Sequence, residues 1–503
     1  MKQDIIATRR YREKMLADPY RPGYHFAVPD DNGLPGDPNG AFFADGRYHL
    51  MYLYRNSAND SFHWGHVSSV DLLHWRHHPD ALTALPSDQG CFSGGAFVDE
   101  DGTAYLSFWK MCTLGTGDDS AIVLAWSRPP YDHWQRMETV AVESVEWGIA
   151  ERTVDGRTEP VGCADPSNIW KLGEYYYMQT GNLLILDKYG RKPDSDPKYQ
   201  GDWTDLFRSR DLKTWEYVHR FYDSSHLGDN RPDRTEDDMC PSFLPLADRQ
   251  SGGSFTDKWL QLFIAHNKGC QYYVGTLDNE TFYPEIHGRM SWKDNAFFAP
   301  EALVDDKNRQ IMWAWLQDTP KNDFARFGWS GVYSLPRCLW WQDGQLHMAP
   351  AEELERLQYN HQSFAVTEGA VPVKNGQSFR LKASIRVKDG ETVGIRVKAS
   401  AAGDVYTDIL ADTAAGKLIM DTTRGNVEGR PLREEAPFVL QDGEMLELDI
   451  FVDKCVVEVF ANHRQAICRQ VFPENPDEAA GVQILGGTAE SLDAWEMMPC
   501  NPY

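Results

Sequence analysis

Cationic side chains are scarce: 503 residues carry 50 Lys and Arg against 75 Asp and Glu, a formal net charge of −25. No Lys/Arg run offsets this, which excludes binding to nucleic acid through its phosphates, since that needs a clustered basic face. Cysteine is sparse as well. Nine residues, an odd number and scattered, with no Cys-x-x-Cys, exclude a disulfide framework. No apolar run approaches the ~18 residues of a membrane-spanning helix. The opening Met1-Lys2-Gln3-Asp4-Ile5-Ile6-Ala7 lacks the apolar stretch of a secretory leader, which predicts a cytoplasmic protein.

What is present suffices for two cores, with 42% hydrophobic and 12% aromatic residues in a chain too long for one. Residues 1–22 read as an entry segment, with a short helix over Tyr11 to Leu16 that ends before Asp18-Pro19. From Gly40 a template recurs: a short apolar strand, a turn rich in Asp and Gly, then a strand of aromatic and β-branched residues. Its first strands begin near residues 41, 96, 168, 243 and 302. Five strand-rich units at such intervals predict a five-bladed β-propeller over 23–348.

A second repeat supports that reading. Ser69-Val70-Asp71-Leu72-Leu73-His74-Trp75, Ser209-Arg210-Asp211-Leu212-Lys213-Thr214-Trp215 and the looser Ser127 to Trp134 each close a unit with a Trp, expected to pack one blade on the next. Pro350 to Leu357 predicts a short helix in a linker over 349–362. Beyond Ser363, plain alternation such as Phe379, Leu381, Ala383 and Ile385 predicts a β-sandwich over 363–503. The fold class expected is therefore all-β, a propeller followed by a C-terminal sandwich.

In a propeller, residues just before each first strand gather at one mouth of the channel. Here those positions read Asp37-Pro38-Asn39, Phe92-Ser93-Gly94, Asp165-Pro166-Ser167, Glu236 to Pro241, and Asp294 to Pro300. Pro38 pushes Asp37 into the extended region and limits its freedom. Taken alone, Asp-Pro-Asn-Gly is simply a good turn. Acids at four of five mouths fit glycoside cleavage, in which one carboxylate meets the cationic anomeric carbon and a protonated group assists the leaving oxygen. A cage of oxygen ligands for Ca²⁺ is the alternative. No cofactor is expected, and the partner expected is a small carbohydrate.

The run Asp37-Pro38-Asn39-Gly40 through Tyr48-His49-Leu50, then Trp64-Gly65-His66 with Asp71-Leu72-Leu73-His74-Trp75, continues through Phe92-Ser93-Gly94, Asp165-Pro166 and Cys240-Pro241. Phe297-Phe298-Ala299-Pro300-Glu301, Met312-Trp313-Ala314-Trp315 and Glu458-Val459-Phe460 complete it. This ordered set resembles glycoside hydrolase family 32, the invertases, fructanases and related β-fructosidases.

The resemblance implies a retaining double displacement at a terminal β-fructofuranosyl unit. In it Asp37 is the nucleophile, Asp165 stabilises the oxocarbenium-like transition state, and Glu236 is the acid/base. Family members place a Glu directly before Cys-Pro, where this chain has Met239; some relatives carry an acidic pair upstream, which Glu236-Asp237 matches. Asp237 and Asp238 compete with Glu236 for the role. Asn39, Phe92, Ser93, Asp237 and Asp294 are implied at the sugar site, with Trp64 as a stacking platform or a core residue. The family's Asn, Arg and Gln are replaced by Gly36, Ala164 and Leu53, with Arg55, His66 or Asn168 as substitutes. Alternatives are a fructosyltransferase, an inverting arabinanase-type enzyme and a carbohydrate-binding propeller without chemistry.

Overall fold

The computed structural model describes residues 10, 13–27, 33–56, 60–86, 88–112, 120–154, 156–317, 329–364, 369–425 and 429–501. The opening residues, 1–9, read above for a leader, lie outside them. The chain is nearly all-β and divides into two compact units. Among the described residues no helix is long and apolar enough to cross a membrane.

One unit holds residues 32–315 and 338–346. Its strands form successive antiparallel groups of four. The first is Gly33–Ala44, Arg47–Asn56, Ser61–Ser69 and Arg76–Leu82. Ala96–Val98, Ala104–Cys112, Ala121–Ser127 and Gln135–Glu143 make the second, joined to the first through Asp88–Cys91. A third sheet runs from Trp170–Leu172 through Tyr175–Thr180 and Asp205–Ser209 to Trp215–Arg220, and a fourth is Met239–Ala247, Phe255–Ala265, Gly269–Asp278 and Thr281–Arg289. In the fifth, Phe297–Val304 pairs Gln310–Leu316, followed by Arg337–Gln342 and Gln345–Pro350.

Each group opens with a hairpin that the sequence announces by an apolar triplet, a polar turn and an aromatic strand. Buried Phe42, Trp64, Leu106 and Phe108 belong to one core shared by the first two groups. Trp134 lies 6.1 Å from the Phe42 ring, and Trp75 meets Trp313 of the fifth group edge-on at 6.1 Å, so these closing tryptophans pack group on group.

The Ser-x-Asp turns are held by their own side chains. Asp71 Oδ1 accepts from the backbone N–H of Leu73 and His74 at 3.1 and 2.9 Å, and Asp211 Oδ1 does the same for Lys213 and Thr214 at 2.9 and 2.8 Å. Leu72 and Leu212 both adopt positive φ, 63° and 60°. Burial pushes the Asp71 pKa up, but the His74 and Leu73 donors outweigh it and hold the carboxyl at about 2. Its stabilising effect is therefore complete above the ordinary carboxylate value and is lost as pH falls toward about 2. Asp71→Ala should cost about 1–2 kcal/mol at pH 7, read from the urea midpoint, because two backbone donors lose their acceptor.

The second unit holds residues 1–31, 316–337 and 347–503. After a 3₁₀ turn at Glu352–Leu357, two six-stranded sheets account for the C-terminal part. Phe379, Leu381, Ala383 and Ile385 are all buried, as their alternation predicts. The stretch 18–27 is bound here as well. Asp453 accepts from the backbone N–H of Gly23, Tyr24 and His25, each at 2.7 Å, which anchors the early chain by a carboxylate with three donors.

Candidate active site

Two β-bulges aim the central side chains. In the first hairpin the register slips between Pro35 and Pro38, leaving Gly36 and Asp37 opposite a single partner. In the fourth it slips between Met239 and Ser242, at Cys240, whose φ is 48°. A bulge turns a side chain out of the regular alternation. Asp165 also adopts positive φ, 40°, as does Ala299 in the fifth group, 46°. Non-glycine residues rarely hold this conformation unless the surroundings impose it.

These devices bring together two of the three expected catalytic acids. The Cys240 thiol donates to Asp165 Oδ2 at 3.4 Å and approaches Asp37 Oδ2 at 3.8 Å. Ser93 Oγ donates to the same Asp37 oxygen at 2.6 Å. Ser93 reaches it because Gly94 lies flat on the next strand, where a Cβ would meet the Ser107 carbonyl oxygen at 1.9 Å. Asn39 is buried and ties the loops, donating to the Asp37 carbonyl at 3.1 Å while accepting from Gly94 N–H at 3.1 Å. Gly40, at φ 51°, leaves no room for a Cβ between Leu106 and Trp64.

Burial pushes the Asp37 carboxyl up, against the Ser93 hydrogen bond and the positive charge of His266. Burial, reinforced by the Asp37 charge, pushes Asp165 up to about 6. The Cys240 thiol is raised well above its usual value by burial and both acids, so it stays a neutral donor. The pair suits stabilisation of a cation: carboxylates drawn from water respond strongly to positive charge developing between them.

Glu236 does not join this group. Both its oxygens accept from Arg289, each at 2.8 Å, and Gln271 Nε2 donates to it at 2.6 Å. Those partners stand on the third and fourth strands of its sheet, Gly269–Asp278 and Thr281–Arg289. Burial raises its pKa, but Arg289 outweighs this and holds the carboxyl low, the opposite of what a proton donor needs. Asp238 is fully buried, accepting from Tyr222 at 2.6 Å and Gln261 at 3.1 Å.

Asp237 is also buried, but its bonds lead back to the site. His266 gives it a backbone N–H at 3.2 Å and its ring Nδ1 at 2.8 Å. The sequence reading missed His266. It follows Phe255–Ala265, and the pairing of Met239 with Ile264 sets it beside Asp237.

Other expected sugar contacts divide. Trp64 is fully buried in the core of the first two groups, so the platform reading fails; its ring is enclosed by Gly40 and Phe108. Phe92 is half-buried against Phe62 and Trp109, at 4.6 and 5.5 Å. Asp294 is half-buried and accepts from Ala296 N–H at 3.0 Å, shaping the turn before Phe297. Of the suggested substitutes, Arg55 pairs with Asp60 at 2.5 Å and Asn168 brackets the Phe243 backbone at 2.7 and 3.0 Å. A half-exposed Trp315, not foreseen, stands against Gly36, whose Cβ would lie 3.6 Å from its ring.

The third substitute, His66, belongs to a cluster with His49 and His78 whose nitrogens lie within 4.8 Å of one another. Their arrangement argues against a metal. His49 Nδ1 and His66 Nε2 already share a 2.9 Å hydrogen bond. The His66 and His78 rings stack at 4.2 Å with planes 16° apart. Nitrogen lone pairs lie in the ring plane, and near-parallel planes do not converge on one ion. Burial, with the charges of His78 and Arg47, pushes His49 down to about 3, as in a neutral packed pair.

The glycosyl hydrolases family 32 N-terminal domain matches residues 25–350, and the glycosyl hydrolases family 32 C terminal matches 352–496. A sucrose-6-phosphate hydrolase of Zymomonas mobilis subsp. mobilis is 26% identical, covering 98% of this chain and 96% of its own. A levanase of Bacillus subtilis is 26% identical, covering 93% of this chain and 68% of its own. The crystal structure of fructan 1-exohydrolase IIa from Cichorium intybus superposes with a TM-score of 0.78 at 20% identity, over 96% of this chain and 98% of that one.

Proposed function

Because the chain belongs to glycosyl hydrolases family 32 in both parts of its length, we propose that this glycoside hydrolase releases terminal β-fructofuranosyl units from sucrose or fructo-oligosaccharides by retaining double displacement. Asp37 attacks C2, and Asp165 faces the cationic transition state. The observation that carries this reading is the convergence of Asp37 and Asp165 on one thiol, Cys240, from strand ends 203 and 75 residues away in sequence. We read the five strand groups as the blades of a propeller around that point, and the two six-stranded sheets as a sandwich. The names of the sucrose-6-phosphate hydrolase and levanase relatives favour a fructoside as substrate. Trp315 against Gly36 offers a flat apolar surface where the resemblance has an Asn.

Sucrose, sucrose-6-phosphate, and inulin- and levan-type oligosaccharides, with products separated by chromatography, provide the test. Fructose release from at least one is expected, with kcat/KM falling below about pH 6 as Asp165 takes up a proton. No release from any of them would overturn the reading in favour of a binding module.

A further inference from the structure

The retaining reaction needs a group to protonate the leaving oxygen, and the three consecutive acids before Cys240 are each engaged in a way that prevents it. Glu236 is clamped by Arg289, Asp238 is sealed under Tyr222 and Gln261, and Asp237 is fully buried beneath His266. Met239 occupies the position directly before Cys-Pro and carries no proton to give.

We propose that His266, held by Asp237, is the catalytic acid/base of this chain. This rests on the fructosidase reading and names the proton donor within it. Asp237 fixes the ring by accepting from Nδ1 at 2.8 Å and from the His266 backbone at 3.2 Å, which leaves Nε2 as the working end. Nε2 makes no hydrogen bond among the described residues, and the side chain is 45% exposed, unlike the three acids. Phe298 packs edge-on against the ring at 5.7 Å, and Trp315 stands 6.2 Å beyond Phe298 and against Gly36. A run of ring contacts from His266 through Phe298 and Trp315 thus ends at Gly36, the residue before the nucleophile.

The charges facing the ring are those of Asp237, Asp165 and Asp37, with Arg191 at 3.8 Å from Asp237. Burial lowers the His266 pKa, but the hydrogen bond to Asp237 and the charges of these three carboxylates outweigh it and raise it above the ordinary imidazole value. In the first step the Nε2 proton passes to the glycosidic oxygen. That oxygen leaves C2 with the bonding pair as an Asp37 oxygen forms the ester. In the second, the neutral imidazole takes a proton from the water that attacks C2, and Asp37 leaves as carboxylate. Imidazolium and carboxylate are both restored.

The test uses His266→Gln and Asp237→Asn in the full chain, with sucrose and β-fructofuranosyl fluoride as substrates. Fluoride leaves without a proton. For H266Q, kcat/KM on sucrose should fall by about 10²–10⁴-fold while the fluoride is affected by less than about tenfold. Azide should then raise turnover of the fluoride and give a fructosyl azide of retained β configuration. D237N should move the alkaline limb of the sucrose profile to lower pH, because the ring loses the charge that holds its proton. Equal losses on both substrates, or an unchanged profile on sucrose, would overturn the assignment. A parent enzyme inert on every fructoside would overturn the fructosidase reading, and the assignment with it; a parent that is active beside an unaffected H266Q would remove His266 alone.

Discussion

Asp37→Ala should lower fructoside turnover by at least about 10⁴-fold, the scale on which removing a covalent nucleophile is felt. The protein should remain folded, melting no lower than the parent at pH 7. Stability is spared because of the sign of the pKa shift. Burial raises the folded-state pKa of Asp37, so the native state favours the protonated acid, and ionisation as pH rises works against folding. Removing the carboxyl removes that opposition, at the loss of one hydrogen bond from Ser93. Added azide should restore turnover of an activated substrate and give the inverted azide, since no covalent ester precedes it. The opposite configuration in His266→Gln separates the two roles by product alone. Parent-like turnover in Asp37→Ala would place the nucleophile elsewhere.

Arg289→Leu should destabilise the protein by about 3 kcal/mol, measured by urea denaturation. Glu236 is 2% exposed and loses both charged donors, and an uncompensated buried carboxylate is costly. Glu236→Gln should cost less, because an amide still accepts from Arg289. Its sucrose turnover should stay within a few fold of the parent, a result opposite to that of an acid/base residue. Pairing Glu236→Leu with Arg289→Leu should recover most of the loss, since neither charge is then stranded. A large activity loss in Glu236→Gln with unchanged stability would return the proton to Glu236.

The sequence made the hairpins legible because each advertises itself locally: Asp45-Gly46 and Asp101-Gly102 fix turns, and the strands after them are dense in aromatic and β-branched residues. Asp37 and Asp165 drew notice because each precedes an apolar triplet, although the first strand, Gly33–Ala44, runs back past Asp37 through its bulge. The same rule gave Glu236, whose carboxyl is instead bonded to Arg289. Nothing local reveals that Arg289, 53 residues on, reaches back to it across two strands. His266 was invisible for a related reason. Its place beside Asp237 depends on the register of Met239 with Ile264, which a long loop between those strands leaves unspecified. Trp64 shows the limit of composition. An aromatic near a sugar motif suits either a platform or a core, and the absent Cβ of Gly40 lets the core close over it.

The left-handed backbone at Cys240 and Ala299 sets two selective pressures against each other. A glycine at either position would relieve that strain, yet it would also widen the set of conformations open to the loop. Lineages of this enzyme exposed to heat or to mutational load should therefore gain robustness elsewhere in the sheets and leave these two codons tense.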